Sequence, residues 1–307
     1  MGRLVFVFPG QGSQGTGMGR AIATAHDSAA AVYDRAREVL GWDVAALSFD
    51  GPDEELAGTE NAQVVLFVNS MAVKAVLDEK GVAADAVTGH SLGEYSALAA
   101  AGAIGFDEGL ELVAARGEAM RDAAAAHPGA MAAVLGLEDA AVEKICSDAG
   151  DVWPVNYNSP GQLVISGEES AVARAEAEAT AVGARKVVRL PVSGGFHSPL
   201  MAEAAAAMRE KLASAGFRDP VPPFFSPISC RYETAAGLAD LLERQIVSPV
   251  RWHEAVTALI AAGADRFLEV GNGKVLSGLI RRIDKSVATA NAPDPDSLEK
   301  AIGSLVG

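Results

Sequence analysis

The sequence predicts an α/β protein, a large body on a parallel sheet with a smaller unit set into it, and three features carry that expectation. An apolar run, Leu4 to Phe8, opens the chain as a buried strand and stops at the turn Pro9-Gly10-Gln11-Gly12. A second short strand, Ala86 to Thr88, leads through Gly89-His90-Ser91 into a helix-favouring stretch that ends near Ala101, with Gly102 suited to the C-cap. From Gly129 the rhythm changes to strand Ala130 to Leu137, helix Asp139 to Ala149, strands Val152 to Tyr157 and Gln162 to Ser166, helix Glu169 to Val182, and strand Lys186 to Val192. That βαββαβ order is the ferredoxin-like unit.

The rest fills in around these landmarks. A helical segment is expected between the first turn and Ala36, and further helices over Val64 to Val76 and Glu108 to Ala126. The body resumes with a helix from Pro199 to Ala215 and a late strand at Arg266 to Val270. The expected division is a large catalytic unit of residues 1–127 and 194–307 around a small unit of residues 128–193. At 307 residues, 50% of them hydrophobic, the chain can bury a sizeable core.

A formal charge of -15 opposes non-specific nucleic-acid binding, because phosphate repulsion has no long basic run to overcome it. Short clusters at Arg185, Lys186 and Arg189, and at Arg281, Arg282 and Lys285, could still meet an acidic partner. Cys146 and Cys230 lack metal-type spacing and read as free thiols in a reducing compartment, so no metal is expected. The opening apolar run is too brief for a signal-peptide core, and no stretch is free enough of polar residues for a membrane span. The expectation is a cytoplasmic monomer.

Gly89-His90-Ser91-Leu92-Gly93 fits the GxSxG nucleophile elbow of α/β-hydrolase-like sheets, where small residues let a strained strand-to-helix turn expose the serine. The backbone N–H of Leu92 would lie at a helix N-terminus, ready to stabilise an oxyanion. A serine hydroxyl needs a base, normally a histidine, and five histidines compete. His26 and His127 lie at helical ends, His90 should point away on the turn, and His253 follows Trp252 at a helix start. His197 sits in the loop Ser193-Gly194-Gly195-Phe196-His197, clamped by Ser198 as N-cap and Pro199 at N1, which suits a base.

Gly10-Gln11-Gly12-Ser13-Gln14-Gly15 also matches the dinucleotide pattern GxGxxG, but no second strand ending in Asp or Glu follows at the usual distance. Those glycines can instead bring the backbone near Gln11 to a reacting oxygen. Arg116 has apolar helical neighbours Leu112, Val113, Ala119 and Met120, an odd seat for a charge. It could pair with a buried acid, snorkel out past alanine, or receive an anionic ligand in its planar fork.

Taken together these residues resemble the malonyl-CoA:acyl carrier protein transacylase family of bacterial fatty acid synthesis. The resemblance spans nearly the whole chain: Phe8 to Gln14, Gly89 to Leu98, Arg116-Gly117 with Met120, Asn156 to Gly161, Phe196-His197, Gln245 with Pro249 to Trp252, and Glu269-Val270-Gly271. It implies a ping-pong transfer of malonyl from coenzyme A through an ester on Ser91 to the phosphopantetheine thiol of an acyl carrier protein, with no tightly bound cofactor. It further implies His197 as base oriented by the main-chain carbonyl of Gln245, Gln11 and Leu92 N–H groups as oxyanion hole, Arg116 as clamp for the malonyl carboxylate, and Gln63 and Asn156 lining the pocket. Arg251, Lys274, Arg281 and Arg282 are candidates to meet an acidic carrier protein. Val64 stands where a proline often follows the glutamine, and Gly-Gly-Phe-His where Gly-Ala-Phe-His is common. Other readings of the same residues are a discrete acyltransferase loading a polyketide synthase carrier, a serine hydrolase, and a non-catalytic dinucleotide-binding module.

Overall fold

The computed structural model describes residues 2–305. In chain order the strands are β1 (Arg3–Phe8), β2 (Ala86–Gly89), β3 (Gly129–Leu135), β4 (Val152–Ser159), β5 (Gln162–Glu168), β6 (Lys186–Arg189), β7 (Phe224–Ser226), β8 (Arg231–Glu233), β9 (Ala264–Glu269) and β10 (Ala288–Asn291). They form two sheets, of order β10-β9-β1-β2-β7-β8 and β4-β5-β3-β6. The larger sheet is parallel from β10 to β7, and β8 closes it as an antiparallel edge. Strand β1 is apolar throughout its buried length because both its faces are covered: Leu4, Phe6 and Phe8 join one core, Val5 and Val7 the other.

Register decides where chemistry can occur. Phe8 pairs with Gly89, so the turns after β1 and β2 emerge side by side at the carboxyl edge of the sheet, where α/β folds build their sites. The elbow after β2 tolerates only hydrogen at its flanks. A Cβ on Gly89 would lie 2.0 Å from the Gly93 carbonyl carbon, and one on Gly93 would lie 2.0 Å from the Phe8 carbonyl oxygen. Ser91 between them holds φ 53, a left-handed conformation that costs free energy for a non-glycine residue.

The long helices Thr59–Glu79 and Phe106–Ala126 cross in the core, with the Phe67 and Phe106 rings 5.8 Å apart. Gly117 permits the close crossing, since a Cβ there would lie 2.7 Å from the Glu60 Cα. In the smaller sheet all pairings are antiparallel, and β3 shows why it docks as it does. Ala130, Ala132 and Val134 face the helices Asp139–Ala149 and Glu169–Ala181, while Met131 and Ala133 on the alternate face belong to the main core. Val250 fastens the unit by accepting from the Tyr157 N–H and donating to the Val155 carbonyl.

Several expectations shift in detail. The segment after the first turn is not one helix: Gly17 and Gly19 at positive φ delay it to Arg20–Ala25, and extended His26 breaks it before Asp27–Leu40. Strand β3 stops at Leu135 because Gly136 turns at φ 93, and β6 stops at Arg189, before Pro191. The Pro199 helix begins with a 3₁₀ turn, Pro199–Met201, capped by Ser198 Oγ, which accepts from the Leu200 N–H. No helix among the described residues is long and apolar enough to cross a membrane.

Gly117→Ala should force the two long helices apart, at a cost of about 1–3 kcal/mol. A thermal midpoint unchanged from that of the original protein would mean that the crossing has slack.

Candidate active site

The strained elbow and the Gly194-to-His197 loop bring Ser91 and His197 together, with Ser91 Oγ 2.7 Å from His197 Nε2. On the far side of the ring, Nδ1 lies 2.9 Å from the main-chain carbonyl oxygen of Gln245. A carbonyl can only accept, so Nδ1 carries the proton and Nε2 is left to accept from the serine hydroxyl. No carboxylate touches the imidazole among the described residues, and the backbone carbonyl fixes the tautomer instead. Like Ser91, His197 holds a left-handed backbone, φ 61. Burial, with the Arg116 charge adding to it, pushes the imidazole down to about 3, which keeps it neutral near neutral pH.

Arg116 is 1% exposed yet pairs with no carboxylate among the described residues. Its Nη1 donates to Gln63 Oε1 at 2.5 Å, and its Nη2 donates to Gln245 Oε1 at 2.9 Å and to Ser91 Oγ at 3.1 Å. The guanidinium carbon lies 5.6 Å from the Tyr95 ring centroid, a cation–π contact that offsets part of the desolvation. Its Nε meets no acceptor. The two options of a buried acid partner and of snorkelling to solvent are thus both unrealised, and a full positive charge stands beside the serine oxygen with donors to spare.

Gln245, wholly buried at the end of the helix Ala235–Gln245, is the link. Its Nε2 donates to the Ser91 carbonyl at 2.9 Å and to Glu94 Oε2 at 2.5 Å, while its own Oε1 and main-chain carbonyl hold Arg116 and His197. The side chains of Gln245, Glu94, Tyr95 and Ser226 are parts of this network that sequence reasoning missed. Gln245 was singled out for its carbonyl alone, and Glu94 looks from the sequence like an ordinary acidic residue in the first turn of the helix Gly93–Ala100.

Gln11 and Leu92 flank the serine, and neither backbone N–H donates to a protein acceptor among the described residues. A cavity of about 200 Å³ opens here, lined by Gln11, Ser91, Met120, Asn156, Phe196 and His197 among others. Asn156 Oδ1 is buried without a partner, whereas Gln63 lies behind Arg116. His90 does turn away from the serine hydroxyl, its Nε2 lying 2.9 Å from Asn158 Oδ1. The glycine loop runs on to Gly19 before any helix starts, so it lacks the helix that a dinucleotide fingerprint opens.

With His197 held neutral, the reactivity of Ser91 toward a neutral active ester should stay nearly level from about pH 8 to about pH 5. A loss of about tenfold per pH unit below about 6.5 would show an ordinary, unperturbed histidine as the base.

Residues 5–294 match the family model described as an acyl transferase domain. The malonyl CoA-acyl carrier protein transacylase of Bacillus subtilis is 41% identical, over 99% of this chain and 98% of its own length. Among solved structures, an acyl carrier protein S-malonyltransferase from Vibrio cholerae superposes with a TM-score of 0.94 at 42% identity, covering 97% of this chain and 99% of that one. A malonyl-transacylase solved in complex with its type II PKS acyl-carrier protein superposes with a TM-score of 0.95 at 39% identity, over 98% of this chain and 99% of that one. The likeness covers nearly the whole chain, which belongs to the acyl transferase family and, within it, to the malonyl-CoA:acyl carrier protein transacylases.

Proposed function

We propose that this acyltransferase moves malonyl from malonyl-CoA to the phosphopantetheine thiol of an acyl carrier protein through an ester on Ser91. The observation that carries the reading is Arg116, a buried guanidinium that meets no carboxylate and donates to the nucleophile's own oxygen at 3.1 Å. An acyl group bearing its own carboxylate supplies the missing anion, and the planar fork suits it.

In the first half-reaction Ser91 Oγ attacks the thioester carbonyl while His197 Nε2 takes the hydroxyl proton. The tetrahedral oxyanion sits between the Gln11 and Leu92 N–H groups, where one donor typically contributes roughly 10² to 10³ in rate. Collapse breaks the carbon–sulfur bond, and His197 returns the proton to the departing coenzyme A thiolate. The carrier's thiol then gives its proton to His197 and attacks the ester, and as the carbon–oxygen bond breaks His197 returns that proton to Ser91 Oγ. The unpartnered Asn156 Oδ1 and the Gln63 carboxamide behind Arg116 support roles for both in shaping the acyl end of the pocket.

The coenzyme A thioester is substrate in this reading, and no step calls for a resident cofactor. The unpaired Cys146 and Cys230 support a reducing, cytoplasmic setting. Arg251 and Arg282 are engaged with Glu254 and Gln162, and Arg281 with Thr289, which leaves Lys274, beside the Gln11 loop, as the candidate that supports carrier docking best. The relative bound to a polyketide carrier makes such a carrier a second acceptor to test.

Ser91→Ala should abolish labelling by radioactive malonyl-CoA, and a labelled variant would remove the acyl-enzyme from the scheme. Arg116→Ala should lower malonyl transfer about 10²-fold while lowering acetyl transfer far less. Equal losses would make Arg116 structural. Free malonate in place of malonyl-carrier, with fatty acid and polyketide carriers each supplied, would instead identify a hydrolase.

A further inference from the structure

Glu94 is fully buried, yet the mechanism does not use it. Its Oε1 accepts from Ser226 Oγ at 2.6 Å and its Oε2 from Gln245 Nε2 at 2.5 Å, and no cation touches it among the described residues. Arg116 is its mirror image, a buried cation without an anion. A single carboxamide separates the two charges, with Gln245 Oε1 on the guanidinium and Nε2 on the carboxylate. Around Glu94 the other titratable groups are Glu233 on β8, Cys230 in the turn between β7 and β8, whose thiol burial pushes up to about 11, and Tyr95 on its own helix. Here the carboxylate accepts through both oxygens, whereas a carboxamide of the same shape keeps one acceptor for Gln245 Nε2 and must turn its NH2 to Ser226 Oγ, whose oxygen can accept in turn. Glu94 is set apart by its charge, held one carboxamide away from the Arg116 guanidinium.

We propose that Glu94 is a specificity-determining residue: acting through Gln245, its carboxylate offsets part of the Arg116 charge and thereby limits how strongly Arg116 holds an anionic acyl group. The proposal rests on the reading that Arg116 receives the malonyl carboxylate. Like charges repel, so the malonyl carboxylate and Glu94 compete for one cation. A transferase that must also give its acyl group away gains from a clamp of limited strength, because an interaction equally strong before and in the transition state raises no rate.

The test compares malonyl-CoA and acetyl-CoA as donors for wild type, Glu94→Gln, Arg116→Ala and the double variant. With Glu94→Gln the ratio of malonyl to acetyl kcat/KM should rise about tenfold, through a lower KM for malonyl-CoA, as expected for removing a like charge at an effective dielectric of roughly 20. The same substitution in the Arg116→Ala background should leave the ratio where Arg116→Ala puts it. Burial raises the Glu94 carboxyl to about 7, so in the wild type the ratio should climb as pH falls from about 8 to about 6, and in Glu94→Gln it should stay level. The coenzyme A phosphates titrate near about 6 but are common to both donors and cancel in the ratio.

A ratio that is unmoved or lowered by Glu94→Gln, or raised equally without Arg116, overturns the proposal. Should Glu94→Gln fail to fold, the wild-type pH series decides alone, and a level ratio overturns it. A labelled Ser91→Ala would instead defeat the acyl-enzyme, and an Arg116→Ala with equal losses for both donors the reading that Arg116 receives the malonyl carboxylate. A selective Arg116→Ala beside an unmoved Glu94→Gln defeats the Glu94 proposal only.

Discussion

A guanidinium buried to 1% exposure without a carboxylate on it is the constraint around which this site is built. An isolated buried charge costs far more than any single hydrogen bond returns, so the protein surrounds Arg116 with oriented dipoles: two carboxamide oxygens, a serine oxygen and the face of Tyr95. Three of those partners have a second duty. Gln63 lies on the helix that Gly117 lets approach, Ser91 is the nucleophile of the proposed transfer, and Gln245 also holds the histidine. Moving the guanidinium therefore disturbs the crossing of two long helices and the alignment of the serine at once.

The backbone bears the corresponding strain. Ser91 and His197 both sit in the left-handed region, φ 53 and φ 61, and each is a functional candidate rather than a glycine at a turn. The strain persists because the surroundings leave no alternative. Gly89 and Gly93 are pressed against carbonyl groups, and the Ser91 carbonyl is tied to Gln245. The parallel register that sets Phe8 opposite Gly89 adds the Gln11 turn to the same edge, so two backbone donors flank one serine without any side chain being spent on them.

What could be read from the sequence was local. The βαββαβ order survives in the structure because each of its helices and strands is long enough to show its period, and the elbow is legible because strand, glycine-lined turn and helix are contiguous. Strands β7 and β8, with three residues each, are too short to carry an alternation, and β10 is only partly buried, so none was anticipated. Arg116 stood out because its neighbours one turn away are apolar, a signal contained within one helix. Gln245 and Glu94 gave no such signal: one is a polar residue at a helix end, the other an acid in a first turn, each a common and uninformative choice. Their contacts span 151 residues of sequence and exist only once the sheet has brought the elbow and the helix together.

The electrostatics of Arg116 and His197 cannot be separated. Burial is the larger cause of the imidazole's low basicity, but the guanidinium adds to it, so in the proposed transfer a neutral acyl group would leave His197 facing a cation offset only in part, by Glu94, at the moment it accepts a proton. An anion set against Arg116 offsets that charge. On the proposed reading, an Arg116–carboxylate contact would also restore some basicity to His197, so that part of the selectivity would appear in the chemical step as well as in binding. Glu94 reaches the same guanidinium from the opposite side through Gln245, which places a buried carboxylate and an incoming one in opposition across one cation. On that proposal, discrimination between acyl groups depends on a balance of three charges inside the protein.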